Sequence, residues 1–302
     1  MLNILIAIIS LAVLIKASDI FIDQSTALAK KIKISSFLVG FTLIALGTSL
    51  PDLVISTYSN IRGAPEVALS TFIGSPIVKT SLLLGIIALF SNYKLSEVDI
   101  KRNIPINLII YSTLFFLLFA FSFQMTWILG IISIALLITS VILAGKNNHL
   151  ITIKSKIKFR PILLLISFVI VVIAGKICVD NVLLFAENFN IAKTLIGYFL
   201  LAIGTSIPEL VTSFASIKKG NIQLSLGNIL GSSLFDILLV SGLTSFFSPL
   251  NFRPFLIEYV FLIFATGILL LFAILGKKYF ISKKEGIGLI LVYVLFILLQ
   301  AI

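Results

Sequence analysis

Two carboxylates stand where carboxylates are costly. Asp52 closes the run Ala45-Leu-Gly-Thr48-Ser49-Leu-Pro51-Asp52, and Glu209 closes Ala202-Ile-Gly-Thr205-Ser206-Ile-Pro208-Glu209, 157 positions later. Each run lies inside a long apolar stretch, where ionisable side chains are functional candidates by default. The prolines add chemistry of their own. Proline lacks an amide hydrogen and crowds the carbonyl four residues earlier, so a helix breaks there. Lipid cannot satisfy the carbonyls released near Ala45 and Ala202, but a desolvated cation can. Thr48 and Ser49, like Thr205 and Ser206, add hydroxyl oxygens, and Asp52 lies about one helical turn past Ser49. Two such sets facing each other make an oxygen cage suited to a hard cation such as Ca²⁺ or Na⁺.

A second motif follows each of the first. Gly227-Asn228-Ile-Leu-Gly231-Ser232-Ser-Leu-Phe-Asp236 sets Asn228, Ser232 and Asp236 at four-residue spacing, neighbours on a helix, and its glycines allow close helix approach. The earlier copy reads Leu69-Ser-Thr71-Phe-Ile-Gly74-Ser75-Pro76-Ile-Val-Lys79. Thr71 stands where the later copy has Asn228, Pro76 where it has Ser233, and Lys79 where it has Asp236.

The elements that carry these motifs are membrane spans. Hydrophobic residues make up 59% of the 302 and charged residues 12%, roughly half the charged share of a soluble domain. About ten apolar stretches are long enough to cross a hydrocarbon core roughly 30 Å thick. They lie near 3–27, 35–61, 66–91, 104–122, 126–145, 161–187, 193–217, 222–248, 255–275 and 285–301. The first lacks the basic flank and small-residue cleavage site of a signal peptide and reads as a span. The 157-residue offset that aligns the motifs also pairs Gly40 with Gly197 and Gly85 with Gly242. The expectation is an all-α membrane protein of two five-helix repeats, 1–145 and 161–302, joined by a basic linker at 146–160. Five is odd, so the second repeat enters from the opposite face. The repeats are inverted, and duplicated broken helices of this kind point to a transporter's ion site.

The net charge of +11 belongs to topology rather than to a nucleic-acid partner. Seventeen of the 23 lysines and arginines fall in alternate loops, at 30–33, 94–102, 146–160, 218–219 and 277–284, against three in the opposite loops. This bias puts those loops in the cytoplasm and both termini outside, with the basic excess facing anionic headgroups. The implied partners are the lipid bilayer and inorganic cations, with no obligate protein partner. A single cysteine, Cys178, excludes an internal disulfide, and lone His149 cannot build a metal site. No nucleophile–base pair suggests an enzyme, and no organic cofactor is implied. The Phe-rich runs Leu114–Phe119 and Leu269–Phe272 read as lipid-facing packing.

The repeated Gly-Thr-Ser-x-Pro-Asp/Glu, joined to Gly-Asn-x-x-Gly-Ser-x-x-x-Asp, resembles the two repeats of the cation/Ca²⁺ exchanger superfamily, in particular its compact prokaryotic sodium/calcium exchangers. The resemblance covers nearly the whole chain. It implies an antiporter that exchanges Ca²⁺ for Na⁺ or H⁺ by alternating access, with Ca²⁺ and Na⁺ as transported ions. The family's cation cluster falls here on Asp52, Glu209, Asp236 and Lys79. Its hydroxyls fall on Thr48, Ser49, Ser75, Thr205, Ser206 and Ser232, and its backbone carbonyls on Ala45 and Ala202.

Lys79 departs from that pattern, since the family has Asn or Asp there. With Asp52, Glu209 and Asp236 it leaves the cluster two negative charges, which one Ca²⁺ or two Na⁺ would neutralise. A tethered ammonium replacing a bound monovalent ion would lower the Na⁺ count per divalent ion, and Thr71 and Asn228 are further coupling candidates. The alternatives are proton coupling through Lys79, the same fold with a changed substrate, and a non-transporting cation sensor. A channel using the carboxylates as a selectivity ring fits the inverted duplication less well. Lys176 and Asp180 are spaced to pair along one helix, and Asp19 aligns with Lys176; the expectation is an ordinary pair near a helix end, with an Asp19–Lys176 contact in alternating access as the functional alternative.

Overall fold

The fold turns on where its helices break. The computed structural model describes residues 2–31, 45–90, 93–95, 97, 99–145, 158–218, 222–275 and 279–300. Helix α1 (Leu2–Lys31) opens the first half. The next span is interrupted at Ser49, between α2 (Ala45–Thr48) and α3 (Leu50–Ile61). A tight turn leads into α4 (Pro65–Ile77), which runs through a π-helical turn, Val78–Leu83, into α5 (Leu84–Phe90). Helices α6 (Ile104–Ala120) and α7 (Trp127–Gly145) complete the half.

The second half repeats that order. Helix α8 (Pro161–Phe189) is followed by α9 (Lys193–Ile196), a π turn, and α10 (Ala202–Thr205). A break at Ser206 precedes α11 (Ile207–Lys218). Helix α12 (Ile222–Leu234) then meets a π turn at Phe235–Val240 and α13 (Ser241–Ser245). Helices α14 (Leu256–Leu275) and α15 (Lys283–Gln300) close the half. The breaks at Ser49 and Ser206 each precede a proline whose missing amide and ring end the preceding turn. The next helix restarts at once, with Leu53 N donating to Ser49 O at 2.9 Å and Leu210 N to Ser206 O at 3.2 Å.

The copies agree closely. The π turns begin at Val78 and Phe235, the same 157-residue step that separates Lys79 from Asp236. Single π turns mark functional sites in many helices, and here each presents one member of the charged cluster. Two short ribbons join the halves, Tyr93–Lys94 (β1) pairing with Phe280–Ile281 (β4) and Gln124–Met125 (β2) with Leu250–Asn251 (β3), both antiparallel.

Among the described residues six helices are long and apolar enough to cross a membrane. The broken spans α2–α3 and α9–α11, with α7 and α15, complete the expected ten. Burial sorts them. The third span of each half is enclosed, 83% of Pro65–Phe90 and 78% of Ser225–Ser245, against 33% for Leu2–Phe21 and Pro161–Phe189. The enclosed spans form the centre, and α1 and α8 pack on each other at its flank. The Phe-rich stretch is mixed: Phe116 and Phe119 face outward, while Leu114, Leu118 and Leu269 are buried. Gly197 fixes one crossing, since a Cβ there would stand 1.7 Å from Ser70 Oγ. That close approach brings the second half's broken span against α4.

The linker 146–160 falls outside the described residues up to 157, as does His149.

Candidate cation site

Four charged side chains meet at the centre of the molecule, each fully buried. The π turn after α4 delivers Lys79, the restart of α3 delivers Asp52, that of α11 delivers Glu209, and the π turn after α12 delivers Asp236. Lys79 Nζ donates to Asp236 Oδ2 at 2.6 Å and lies 3.0 Å from Glu209 Oε1 and 3.6 Å from Asp52 Oδ2. Each carboxylate comes from a different helix, so one ammonium ties three elements together. Among the described residues no three His, Cys, Asp or Glu side chains form a ready metal cage. The acids converge on Lys79.

Hydroxyls order the acids from behind. Asp52 Oδ1 accepts from Thr205 Oγ1 at 2.6 Å and from Ser75 Oγ at 3.0 Å, and those two hydroxyls lie 3.4 Å apart. Thr205 belongs to the opposite half, so the first half's acid is held partly by the second half's motif. The reciprocal tie runs from Ser49 Oγ to Ser232 O, at 3.3 Å. Thr48 is fully buried at the end of α2.

Not every expected oxygen is directed at the cluster. Ser206 Oγ donates to Ala202 O at 2.7 Å, and Thr205 Oγ1 lies 2.8 Å from Leu201 O. The Ala202 carbonyl freed by the break is therefore taken up by the hydroxyl one turn later, a local back-bond open to Ser and Thr. Ala45 opens α2 as Ala202 opens α10. Thr71 and Ser232 likewise bond their own helices, to Val67 O at 2.7 Å and Ile229 O at 3.3 Å. Asn228 is buried on α12.

One neighbour escaped the motif reading. Tyr111 on α6 is fully buried, interacts electrostatically with Asp236 and Lys79, and lies beside Asn107 and Ser233. Asn107 itself donates to Leu230 O at 2.9 Å. Two polar residues at i, i+4 in an apolar span were the available signal.

The anticipated Lys176–Asp180 and Asp19–Lys176 contacts are not formed. Lys176 faces outward on α8. Asp180 meets the turn after α3 instead, with Arg62 Nε at 3.0 Å and Tyr58 OH at 3.3 Å. A guanidinium fork beside a half-exposed carboxylate outcompetes a mobile ammonium on the same helix. Asp19 interacts with Lys16 and Asp23 along α1.

Chemically, the cluster holds three acids and one base away from water. Removing one partner from such a group leaves an uncompensated buried charge, and the residual negative charge is a strong demand for a cation.

Comparison with known proteins points the same way. The sodium/calcium exchanger protein family matches residues 2–146 and again 159–302. The sodium/calcium exchanger MaX1 of Methanosarcina acetivorans is 28% identical, covering 98% of this chain and 97% of its own. The inner membrane protein YrbG of Escherichia coli is 26% identical, over 94% and 91%. The solved sodium-calcium exchanger NCX_Mj, soaked with Na⁺ and Sr²⁺, superposes with a TM-score of 0.71 at 28% identity, covering 98% of both chains.

Proposed function

The chain belongs to the sodium/calcium exchanger protein family, secondary transporters of multi-pass membrane architecture, and on that premise we propose that it exchanges Ca²⁺ for Na⁺ or H⁺ by alternating access, with Lys79 lowering the number of monovalent ions per cycle. One observation carries this reading: the Lys79 ammonium stands 2.6 to 3.6 Å from three buried carboxylates. That is where a monovalent cation would stand if the position were neutral. Asp52, Glu209 and Asp236 supply the binding charge. Thr48, Ser49, Ser75, Thr205, Ser206 and Ser232, with the carbonyls of Ala45 and Ala202, supply the neutral oxygens, Ala202 O through the lone pair that the bond from Ser206 Oγ leaves over.

The ion count follows from electroneutrality. The cluster retains two negative charges, so one Ca²⁺ or two Na⁺ balance it, and the exchange moves no net charge. For a divalent ion to bind, the ammonium must give up its contacts with at least one acid. Lys79 then acts as a competitor that reoccupies the acids when the ion leaves. In this arrangement the first span of each five-helix repeat (1–145 and 161–302), α1 and α8, forms the mobile pair that covers the cluster, with the linker 146–160 cytoplasmic and both termini extracellular.

The test is ⁴⁵Ca²⁺ uptake into proteoliposomes loaded with Na⁺, against a proton gradient alone and no gradient. Na⁺-driven uptake establishes the exchanger and makes the stoichiometry set by Lys79 the next measurement. Proton-driven uptake assigns the coupling to H⁺. A second reading, a changed substrate or a non-transporting cation-binding sensor, draws on the acids meeting at Lys79 rather than at an open cage. Ca²⁺ binding with no flux under any gradient would favour the sensor.

A further inference from the structure

A divalent ion that takes the buried acids strips the Lys79 ammonium of its partners. Without the ion, that ammonium stands 2.6 Å from Asp236, 3.0 Å from Glu209 and 3.6 Å from Asp52. Lys79 is fully enclosed, and a buried charge left bare is very costly. A displaced ammonium therefore needs acceptors within the swing of its flexible methylene stem. They must also be oxygens that the ion itself does not take, which sets aside the hydroxyls assigned to it above.

The α6 side of the cluster meets both conditions. Asn107 Nδ2 donates to Leu230 O at 2.9 Å and so fixes α6 against α12, shortly before Asp236. Tyr111, one helical turn later, is fully buried and interacts with both Lys79 and Asp236. Its hydroxyl lies beside Asn107 and Ser233 and has no hydrogen-bond partner among the described residues. Ser233 gives its proton to Ile229 O at 2.8 Å. Its oxygen, like the amide oxygen of Asn107 and the phenol oxygen, keeps acceptor capacity. The ammonium already reaches across to α12 to meet Asp236, so these oxygens lie on the side to which it has crossed.

An unpaired phenol alone assigns nothing, since Tyr93 and Tyr198 are also buried without a partner. No charged group acts on Tyr93, and Tyr198 faces Glu258. Of the three, Tyr111 is the one beside the cluster. The feature is also one-sided. The buried positions Asn107, Tyr111 and Leu114 of α6 recur at the same spacing as Leu262, Thr266 and Leu269 of α14. Leu262 has no side-chain oxygen, and Thr266 turns its hydroxyl to Leu262 O at 2.9 Å. The base occurs in one repeat only, and so does the polar pair that could receive it.

We propose that Tyr111, with the oxygens of Asn107 and Ser233, forms a second seat for the Lys79 ammonium, occupied while a divalent cation holds the acids. Tyr111 is thus a positioning residue that acts on the ion through Lys79. The seat stabilises the displaced lysine and thereby sets how tightly the divalent ion binds. The inference deepens the proposed exchange and rests on it for the divalent ion that does the displacing.

A double-mutant cycle on ⁴⁵Ca²⁺ binding to the purified chain tests the seat. Tyr111→Phe keeps the ring and removes the acceptor. It is expected to raise the Ca²⁺ dissociation constant about tenfold, the scale of one hydrogen bond to a charged group. Made in Lys79→Asn, the same change is expected to leave that constant where it was, because the coupling partner is gone. A purely structural phenol would act equally in both backgrounds. Asn107→Leu, carried through the same cycle, is expected to couple to Lys79 too and serves if Tyr111→Phe does not fold. Tyr93→Phe is expected to bind as the parent does. An equal loss in both backgrounds, no loss in either, or a parent that binds no Ca²⁺ overturns the seat. Exchange in proteoliposomes is read alongside: the expected coupling without exchange keeps the seat and retires the antiporter, and exchange without the coupling does the reverse.

Discussion

Lys79 and Asp236 occupy the same position in two copies of one motif, 157 residues apart, and they are bonded to each other at 2.6 Å. Matched π turns bring equivalent residues to the pseudo-symmetry axis, where a pair of like residues would meet its own image. Two acids there would need a cation between them. An acid and a base complete each other, and on the function proposed above this substitution in one repeat lowers the ion count of the whole site.

Replacing Lys79 with Asn should convert an electroneutral exchange into an electrogenic one. Uptake by the parent protein is expected to ignore a valinomycin-clamped potassium potential, whereas uptake by Lys79→Asn follows it, with one further Na⁺ per cycle. A Lys79→Asn protein as indifferent to potential as the parent removes the stoichiometric role of the lysine.

The same substitution leaves three buried acids without their base, a change that costs about 3–5 kcal/mol when a buried pair is broken. Lys79→Asn should therefore melt well below the parent in Na⁺-free buffer and recover when Na⁺ or Ca²⁺ is added. For a ligand at a hundred times its dissociation constant the recovery is about 2.7 kcal/mol. Equal melting of the two proteins at every salt concentration contradicts the charge balance drawn above.

Asp52→Asn keeps the shape of the side chain and its reach to Thr205 and Ser75, but removes charge from the cluster. We expect ⁴⁵Ca²⁺ uptake to fall by about a hundredfold or more, the scale of a lost charge contact of roughly 3 kcal/mol. Thr205→Ala should lower it less, by about tenfold, because Ser75 still holds the carboxylate. Normal uptake by Asp52→Asn argues against an ion site at this cluster.

Gly197→Ala tests the crossing that carries the second half's motif to the first. The added methyl would sit 1.7 Å from Ser70 Oγ and 3.3 Å from Thr71 N, so the helices must part. Overpacking of this kind costs about 1–3 kcal/mol, and a lowered melting temperature with impaired uptake is expected. Ser70→Ala in the same chain should restore part of both, since the closest obstructing atom is the serine hydroxyl.

Arg62→Gln breaks the tie to Asp180 between the α3–α4 turn and α8. Arg62 is 53% exposed and Asp180 31%, so the pair is worth only about 0–1 kcal/mol and the melting temperature should hardly move. The turnover rate is the sensitive readout, because the contact joins the flanking helices to the centre. An unchanged rate would make it a surface contact alone.

Much of this was legible before any coordinates. The 157-residue repeat announced two halves, the prolines announced the breaks at Ser49 and Ser206, and the resemblance to the exchanger repeats implied that Asp52, Glu209, Asp236 and Lys79 would cluster. What escaped was the choice of partner. Sequence placed Lys176 one turn from Asp180, but which face of α8 meets α3 is decided by packing, and packing gave Asp180 to Arg62 and Tyr58. The Ala202 carbonyl was expected to be open to a cation, yet the adjacent Ser206 reaches it first. Tyr111 sits on a span with no repeated motif, so nothing in the duplication marked it. Local periodicity reports burial well and reports the identity of neighbours across helices poorly.

The uneven charges also bear on how the protein is made. The first half carries Asp52 and Lys79 side by side, 3.6 Å apart, and so brings one acid and one base to the centre. The second half brings Glu209 and Asp236 and has no base of its own at the centre. Synthesis runs from the amino terminus, and chains fold as they emerge. The balanced half therefore enters the bilayer first and presents an ammonium to the unbalanced half that arrives later. The lysine proposed to set the ion count is thus also the contact by which the first half meets the two buried acids of the second.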